Sequence, residues 1–231
     1  MLLHDYPAYD EQIKSIYWGQ IYNNTITNSK WLADQAVSPG RWAVGYEFLY
    51  VLYRALDEAQ PNAILELGLG QSTKLTSQYA KWRYIPHTVV EQDADWINFV
   101  KRGWEFSPYT HIVQRELNQE TIEGAAFYSY RDFSSVVEGK KFSLIIVDGP
   151  WGGDGKLSRR DILAWLPDIL EKDFLILFDD CGRVGEWQTV NEAAAILQKS
   201  GLEIATGVYD GGSYKKTVAI CSQSWKWLTS L

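Results

Sequence analysis

Apolar residues recur at helical spacing between residues 43 and 59, and short apolar runs follow at regular intervals. The helical stretch ends just before Pro61, so it predicts a helix that leads the chain into a sheet. Five later runs are nearly continuous, as expected for parallel strands buried on both faces. They are AILEL (63–67), HTVVE (87–91), HIVQ (111–114), FSLIIVD (142–148) and FLILFD (174–179).

Helical patterns lie between most of these runs, and two more apolar runs close the chain. The alternation predicts a doubly wound, Rossmann-like α/β sheet with helices on both faces, a three-layer α/β/α architecture. The last two runs, 202–209 and 215–221, are separated by the hairpin-forming sequence DGGS. We therefore expect a seven-stranded sheet that ends in an antiparallel pair. The helices are predicted over 72–82, 95–101, 158–170 and 186–199.

Acidic residues follow four of the predicted strands. In a doubly wound sheet, ligands bind beyond the carboxyl ends of the strands, so these acids are expected along one edge. The first strand ends in Glu66-Leu67-Gly68-Leu69-Gly70, whose glycines permit a tight turn and close approach of a ligand to the backbone. A plain strand-to-helix turn remains the alternative. The other acids are Glu91, Asp148, Asp179 and Asp180.

The first two strand ends favour S-adenosylmethionine (SAM) over a dinucleotide. Glu91 lies 21 residues after Gly70, where an acid can accept the ribose hydroxyls of either ligand. Thr73 stands where a dinucleotide fingerprint has its third glycine. Glu66 is expected at the mouth of the site, where its charge favours the ammonium and sulfonium of SAM over a diphosphate. An NAD-dependent oxidoreductase and a non-catalytic SAM-binding partner subunit are the alternatives.

Taken together, these motifs resemble class I SAM-dependent methyltransferases. Glu66-x-Gly68-x-Gly70 resembles the first motif of that family, and Glu91 its ribose-binding acid. FSLIIVDGPWGG and FLILFDDCGR followed by Glu186 resemble a bacterial branch with VDGPPG and DD..R..E signatures, from which Trp151 departs. The resemblance implies methyl transfer to a small-molecule or sugar acceptor, at oxygen. The cofactor contacts that we predict are Glu66, Gly68, Gly70, Ser72, Glu91, Gln92 and Asp148.

The acids after the fourth and fifth strands are the predicted catalytic group. Asp148, Asp179 and Asp180 suit a hard divalent cation such as Mg²⁺, and resemble the Asp…Asp-Asn set of metal-dependent catechol-type O-methyltransferases. Without a metal, Asp148 or Asp180 is the expected general base. Lys156 completes the predicted catalytic set, facing an anionic part of the acceptor. The structural alternative is that Asp180 caps the following turn.

Composition and charge bear on location and partners. A net charge of −7 and a pI near 5.0 disfavour a nucleic-acid partner, and no apolar stretch approaches the length of a membrane span. We expect a cytoplasmic protein. Residues 44–231 form the predicted methyltransferase domain. Residues 1–43 form an aromatic, helical extension predicted to cover the acceptor site, its rings being candidates for acceptor contact or for a homodimer interface.

Overall fold

The computed structural model describes residues 9–40, 42–152 and 157–230, and its centre is a seven-stranded sheet. Two further strands form a separate hairpin. The strands are β1 Ile64–Leu67, β2 His87–Glu91, β3 Thr110–Gln114, β4 Leu117–Ile122, β5 Ala125–Tyr130, β6 Phe142–Val147, β7 Leu170–Phe178, β8 Ile204–Asp210 and β9 Lys216–Ser222. The α-helices are α1 Tyr9–Ile26, α2 Tyr46–Arg54, α3 Gln71–Arg83, α4 Ala94–Gly103, α5 Ser134–Val137 and α6 Val184–Lys199.

The strand order β3-β2-β1-β6-β7-β9-β8 confirms the predicted doubly wound sheet. The first five of these strands are parallel, and β9 pairs antiparallel with both β7 and β8. The chain order reverses between β1 and β6, so the loops after these two strands lie side by side at the switch point where ligands bind in such sheets. The antiparallel C-terminal hairpin is therefore confirmed as well.

Helices cover both faces of the sheet, which gives the three predicted layers. On one face, α1, α2 and α3 bury a core that includes Tyr22, Phe48 and Tyr79 against alternate residues of the central strands. On the other face, α5 and α6 pack on the intervening residues, for example Ile145 and Ile176. Helix α2 continues into a π-helical turn at Ala55–Ala59, so the helix expected from the apolar spacing is present.

Two segments differ from the sequence prediction. Residues 158–170 do not form an α-helix: they contain only a short 3₁₀ turn at Leu163–Trp165 before β7 begins. Arg159 has φ +53°, a left-handed conformation that interrupts a helix, and Pro167 has no backbone N–H to donate. The β4–β5 hairpin was not predicted because β4 is polar and largely exposed, although the turn at Glu123-Gly124 has the positive φ angles typical of a tight hairpin.

The N-terminal extension contributes to the core through helix α1. Trp18, Tyr22 and Trp31 are buried there, so these three rings are not available as an exposed dimer surface. Trp18 also donates a hydrogen bond from Nε1 to the carbonyl of Asp210, at 2.9 Å, which ties α1 to the end of β8. Coverage of the acceptor site by residues 1–43 remains a prediction. Within the described ranges, every helix is too short or too polar to span a membrane.

Candidate functional site

The loop after β1 provides an open edge next to β6. Gly68 has φ +98°, and a Cβ there would lie 3.0 Å from the carbonyl oxygen of Asp148, so the close packing of the two loops requires glycine. At Gly70, which precedes the first residue of α3, a Cβ would have no neighbour within 4 Å. The outer side of this loop is therefore free to approach a ligand, and the helix N-terminus directs N–H groups towards it.

Glu66 lies beneath this loop and not at its mouth, so the expected position of this carboxylate is wrong. Its side chain is fully buried and accepts hydrogen bonds from the hydroxyls of Ser72, Thr73 and Thr76. His87 Nε2 lies 3.0 Å from Oε2, the oxygen that also accepts from Thr76. Glu66 therefore fixes the start of α3 against β1 and β2, and Ser72 is part of the same buried network. Neither side chain faces the open edge.

Glu91 ends β2 beside the same loop. One carboxylate oxygen accepts the N–H groups of Gln92 and Asp93, at 2.8 and 2.9 Å, and the other accepts the N–H of Leu69, at 2.9 Å. Burial raises the pKa of Glu91, and the three N–H donors partly offset this. Gln92 has a buried side-chain oxygen with no partner in the described part of the chain. A ligand with hydroxyl or amino donors would satisfy that oxygen.

The three predicted metal ligands lie together where β6 and β7 end. Asp148, Asp179 and Asp180 each offer a carboxylate oxygen within 4.8 Å of the others. The Asp148 side chain is 17% exposed, whereas those of Asp179 and Asp180 are 0% and 5% exposed. We refer to these three residues as the acidic triad. Its only partly exposed member is Asp148.

Basic side chains already contact the acidic triad. Arg159 Nη2 lies 3.1 Å from Asp148 Oδ1 and 3.0 Å from Asp180 Oδ2, and Arg159 Nη1 donates to the Asp179 carbonyl. Lys215 Nζ lies 3.1 Å from Asp179 Oδ2 and 2.6 Å from Asp180 Oδ1. A divalent cation would have to displace these groups, so the triad as it stands does not fit the predicted metal site.

The neighbouring charges change the pKa values within the triad in different directions. Burial raises the pKa of Asp148 and of Asp179. Burial also acts to raise the pKa of Asp180, but the combined charges of Arg159, Lys215 and Arg183 lower it below its usual range. The acids correspondingly raise the pKa of Lys215, which opposes the effect of burying its ammonium group. Lys215 is therefore a permanent cation in this cluster.

Sequence reasoning missed Glu47, Arg159 as a buried group, and Lys215. Glu47 is 2% exposed, and its carboxylate lies between Gly45 and Gly211, at either of which a Cβ would come within 2.5 Å of it. A glutamate inside the apolar helix YEFLYVLYR was the available signal. Lys215 is half of the basic pair Lys215-Lys216, and nothing in its local sequence marks it. The predicted catalytic residue Lys156 lies outside the described residues.

Comparisons with known proteins give the fold. No family model matches the chain, and no curated protein matches its sequence. Among solved structures, the SAH-bound methyltransferase PaMTH1 of Podospora anserina superposes with a TM-score of 0.52 at 15% identity, over 96% of this chain and 100% of that one. The chain has the fold of these methyltransferases. Precorrin-6y C5,15-methyltransferase of Geobacter metallireducens has a TM-score of 0.51 at 11% identity, over 82% of this chain and 94% of that one.

Proposed function

We propose that this protein is a SAM-dependent methyltransferase that acts on a hydroxyl of a small molecule or sugar. The observation that carries the proposal is the shape of the switch point. A glycine loop with an open outer side lies between β2, which ends in Glu91, and the end of β6, which leads into Asp148. The antiparallel hairpin at the end of the sheet also departs from the all-parallel order 3-2-1-4-5-6 of the dinucleotide-binding fold.

The described residues fit SAM at this edge. Gly70 would leave room for the cofactor to approach the loop, Gly68 allows the loop to pack against the end of β6, and Gln92 has a buried oxygen without a partner among the described residues. Glu91 is nearly saturated by three N–H donors, so we assign it first to holding the loop and second to a ribose hydroxyl. When bound, SAM supplies the electrophilic methyl group on its sulfonium.

Asp148 is the residue that we assign to the acceptor proton. A hydroxyl must lose its proton as its oxygen takes the methyl group, and a carboxylate with a raised pKa is suited to accept that proton. Asp148 is the most exposed acid of the triad, whereas both oxygens of Asp180 contact cations. Asp180 is therefore assigned to positioning Arg159 and Lys215. Holding the acceptor oxygen behind the methyl group supplies much of the remaining rate enhancement.

Calorimetric titration with SAM and, separately, with NAD⁺ tests the cofactor. We expect binding of SAM alone, and binding of NAD⁺ alone would support the oxidoreductase alternative. Gly70→Leu should fill the open side of the loop and abolish SAM binding without loss of stability. The matched control is Gly103→Leu, because a Cβ at Gly103 also has nothing within 4 Å and lies at the far end of α4. Equal SAM affinity in the two variants would contradict the assigned site.

Transfer of a labelled methyl group tests the reaction itself. The protein is incubated with methyl-labelled SAM and pools of hydroxylated small molecules and sugars, and label is counted in the products. Incorporation that disappears in Gly70→Leu supports the methyltransferase. SAM binding without incorporation from any pool would favour the non-catalytic partner subunit.

A further inference from the structure

The acidic triad has the arrangement of a cation site, and the β8–β9 turn supplies a cation to it. Lys215 immediately precedes β9, and its ammonium group contacts both Asp179 and Asp180, two of the three residues that would hold a metal ion. Arg159 bridges a second pair, Asp148 and Asp180. Each carboxylate of the triad thus already has a cationic partner at contact distance.

The backbone of the turn fixes Lys215 in this place. Within the turn, Gly211 donates its N–H to the Lys215 carbonyl at 2.7 Å, and Lys215 donates its N–H to the Gly212 carbonyl at 2.9 Å. Gly182, in the loop after β7, donates to the Tyr214 carbonyl at 3.0 Å, and a Cβ on Gly182 would lie only 2.4 Å from Tyr214 Cα. The lysine is therefore held by close packing of two loops, unlike a flexible surface lysine.

Cationic side chains close to the acidic triad also oppose the binding of a divalent cation there. Arg183 Nη1 lies 3.0 Å from Asp180 Oδ2 and 3.4 Å from Glu186 Oε1, so a third cation contacts the triad in addition to Arg159 and Lys215. A buried charge is stabilised when it is paired and hydrogen-bonded, and a further like charge in the same place is repelled. Mg²⁺ would also require near-octahedral oxygen coordination, whereas Asp179 Oδ2 and Asp180 Oδ1 already contact the ammonium group of Lys215.

We propose that Lys215 takes the place of the metal ion in the acidic triad, so that this site works without a divalent cation. Lys215 is a positioning residue: together with Arg159 it holds Asp179 and Asp180 in place beside Asp148. The proposal rests on the proposed methyltransferase function for the meaning of the site, but the occupancy of the triad can be measured without any turnover.

Binding of Mn²⁺, followed by electron paramagnetic resonance without SAM or acceptor, tests the proposal. The free Mn²⁺ signal should be unchanged by the wild-type protein and by the control Lys216→Ala. In Lys215→Ala, the vacated triad should bind Mn²⁺ about tenfold more tightly or better, because the ammonium group that occupies the site and carries a like charge is gone. Asp179→Asn added to Lys215→Ala should remove this gain.

Two results would overturn the proposal. Stoichiometric Mn²⁺ binding by the wild-type protein, lost in Asp179→Asn, would show that the metal displaces Lys215. A folded Lys215→Ala variant that binds Mn²⁺ no better than the wild type would show that Lys215 does not hold a cation site closed. If Lys215→Ala does not fold, Lys215→Gln provides the same comparison with a side chain of similar length. We also expect EDTA to leave the methyl-transfer rate unchanged. If no methyl transfer is found, the proposed function fails, but the Mn²⁺ measurement still decides whether Lys215 occupies the triad.

Discussion

Glu47→Gln should remove a loss of stability that we expect the wild-type protein to undergo as the pH rises from 6 to 9. Glu47 is 2% exposed, and one of its carboxylate oxygens has no hydrogen-bond partner within the described ranges. Burial, together with the nearby charge of Asp179, raises the pKa of Glu47 from 4.5 to about 8. The folded protein therefore holds the Glu47 proton more tightly than the unfolded chain does.

The sign of the effect follows from this difference in proton binding. An acid whose pKa is raised by folding does not destabilise the folded protein below the pKa that it has in the unfolded chain. As the pH rises from 4.5 to about 8, it lowers the free energy of unfolding progressively. At about 1.4 kcal/mol per pKa unit, the free energy of unfolding should fall by roughly 2 to 3 kcal/mol between pH 6 and pH 9 because of this group. Glutamine has nearly the same shape and no proton to lose.

Urea denaturation of both proteins at pH 6, 7, 8 and 9 measures the effect. The difference in unfolding free energy between Glu47→Gln and wild type should grow in favour of the variant as the pH rises. Glu203→Gln, a substitution of an exposed glutamate, is the control and should follow the wild type at every pH. Parallel curves for Glu47→Gln and the wild type would refute the reasoning, since they would mean that Glu47 ionises without penalty.

Three further substitutions test the site. Gly68→Ala should lower the free energy of unfolding by about 2 to 4 kcal/mol and weaken SAM binding, because it combines a positive φ with a Cβ against Asp148. Gly124→Ala has a positive φ but open space around the Cβ, so it should lower the free energy of unfolding by about 1 kcal/mol and leave SAM binding intact. Glu66→Ala should lower the free energy of unfolding, measured by urea denaturation, by about 3 to 5 kcal/mol. A decrease below about 1 kcal/mol would contradict the assignment of Glu66 to a stabilising buried network. Asp148→Asn should lower the methyl-transfer rate about 100-fold or more with SAM affinity retained, and unchanged turnover would place the proton transfer elsewhere.

The sequence predicted the sheet well because its central strands are buried on both faces. A strand such as FSLIIV needs continuous apolar residues, and this leaves a signal that does not depend on the rest of the fold. The hairpin formed by 117–122 and 125–130 has no such requirement, because its first strand is largely exposed and its second strand alternates between exposed and buried residues. Residues 158–170 carry apolar spacing, yet Arg159 adopts φ +53° and its guanidinium lies in the acidic triad, a tertiary interaction that local spacing cannot reveal.

The site was predicted less completely, since chain position does not determine which way a side chain points. The strand ends correctly brought Asp148, Asp179 and Asp180 together. What could not be inferred was that Lys215, 35 residues after Asp180 along the chain, would enter the same cluster from the β8–β9 turn. A metal site and an ion-pair cluster use the same carboxylates, and only the position of the cations separates them.

Glu66 and Thr73 supported SAM over a dinucleotide as two separate observations, but the structure makes them one. The Thr73 hydroxyl donates to Glu66 Oε1 at 3.1 Å and also accepts the N–H of Gly70 at 3.0 Å. A third glycine at position 73 would remove both bonds and leave the buried carboxylate with fewer donors. The acid beneath the loop therefore requires a hydroxyl at the start of α3, and that hydroxyl occupies the space that close helix packing beneath a diphosphate would need. The proposed preference of this site for SAM over a dinucleotide therefore rests on the shape of the loop, and not on a carboxylate that contacts the ligand.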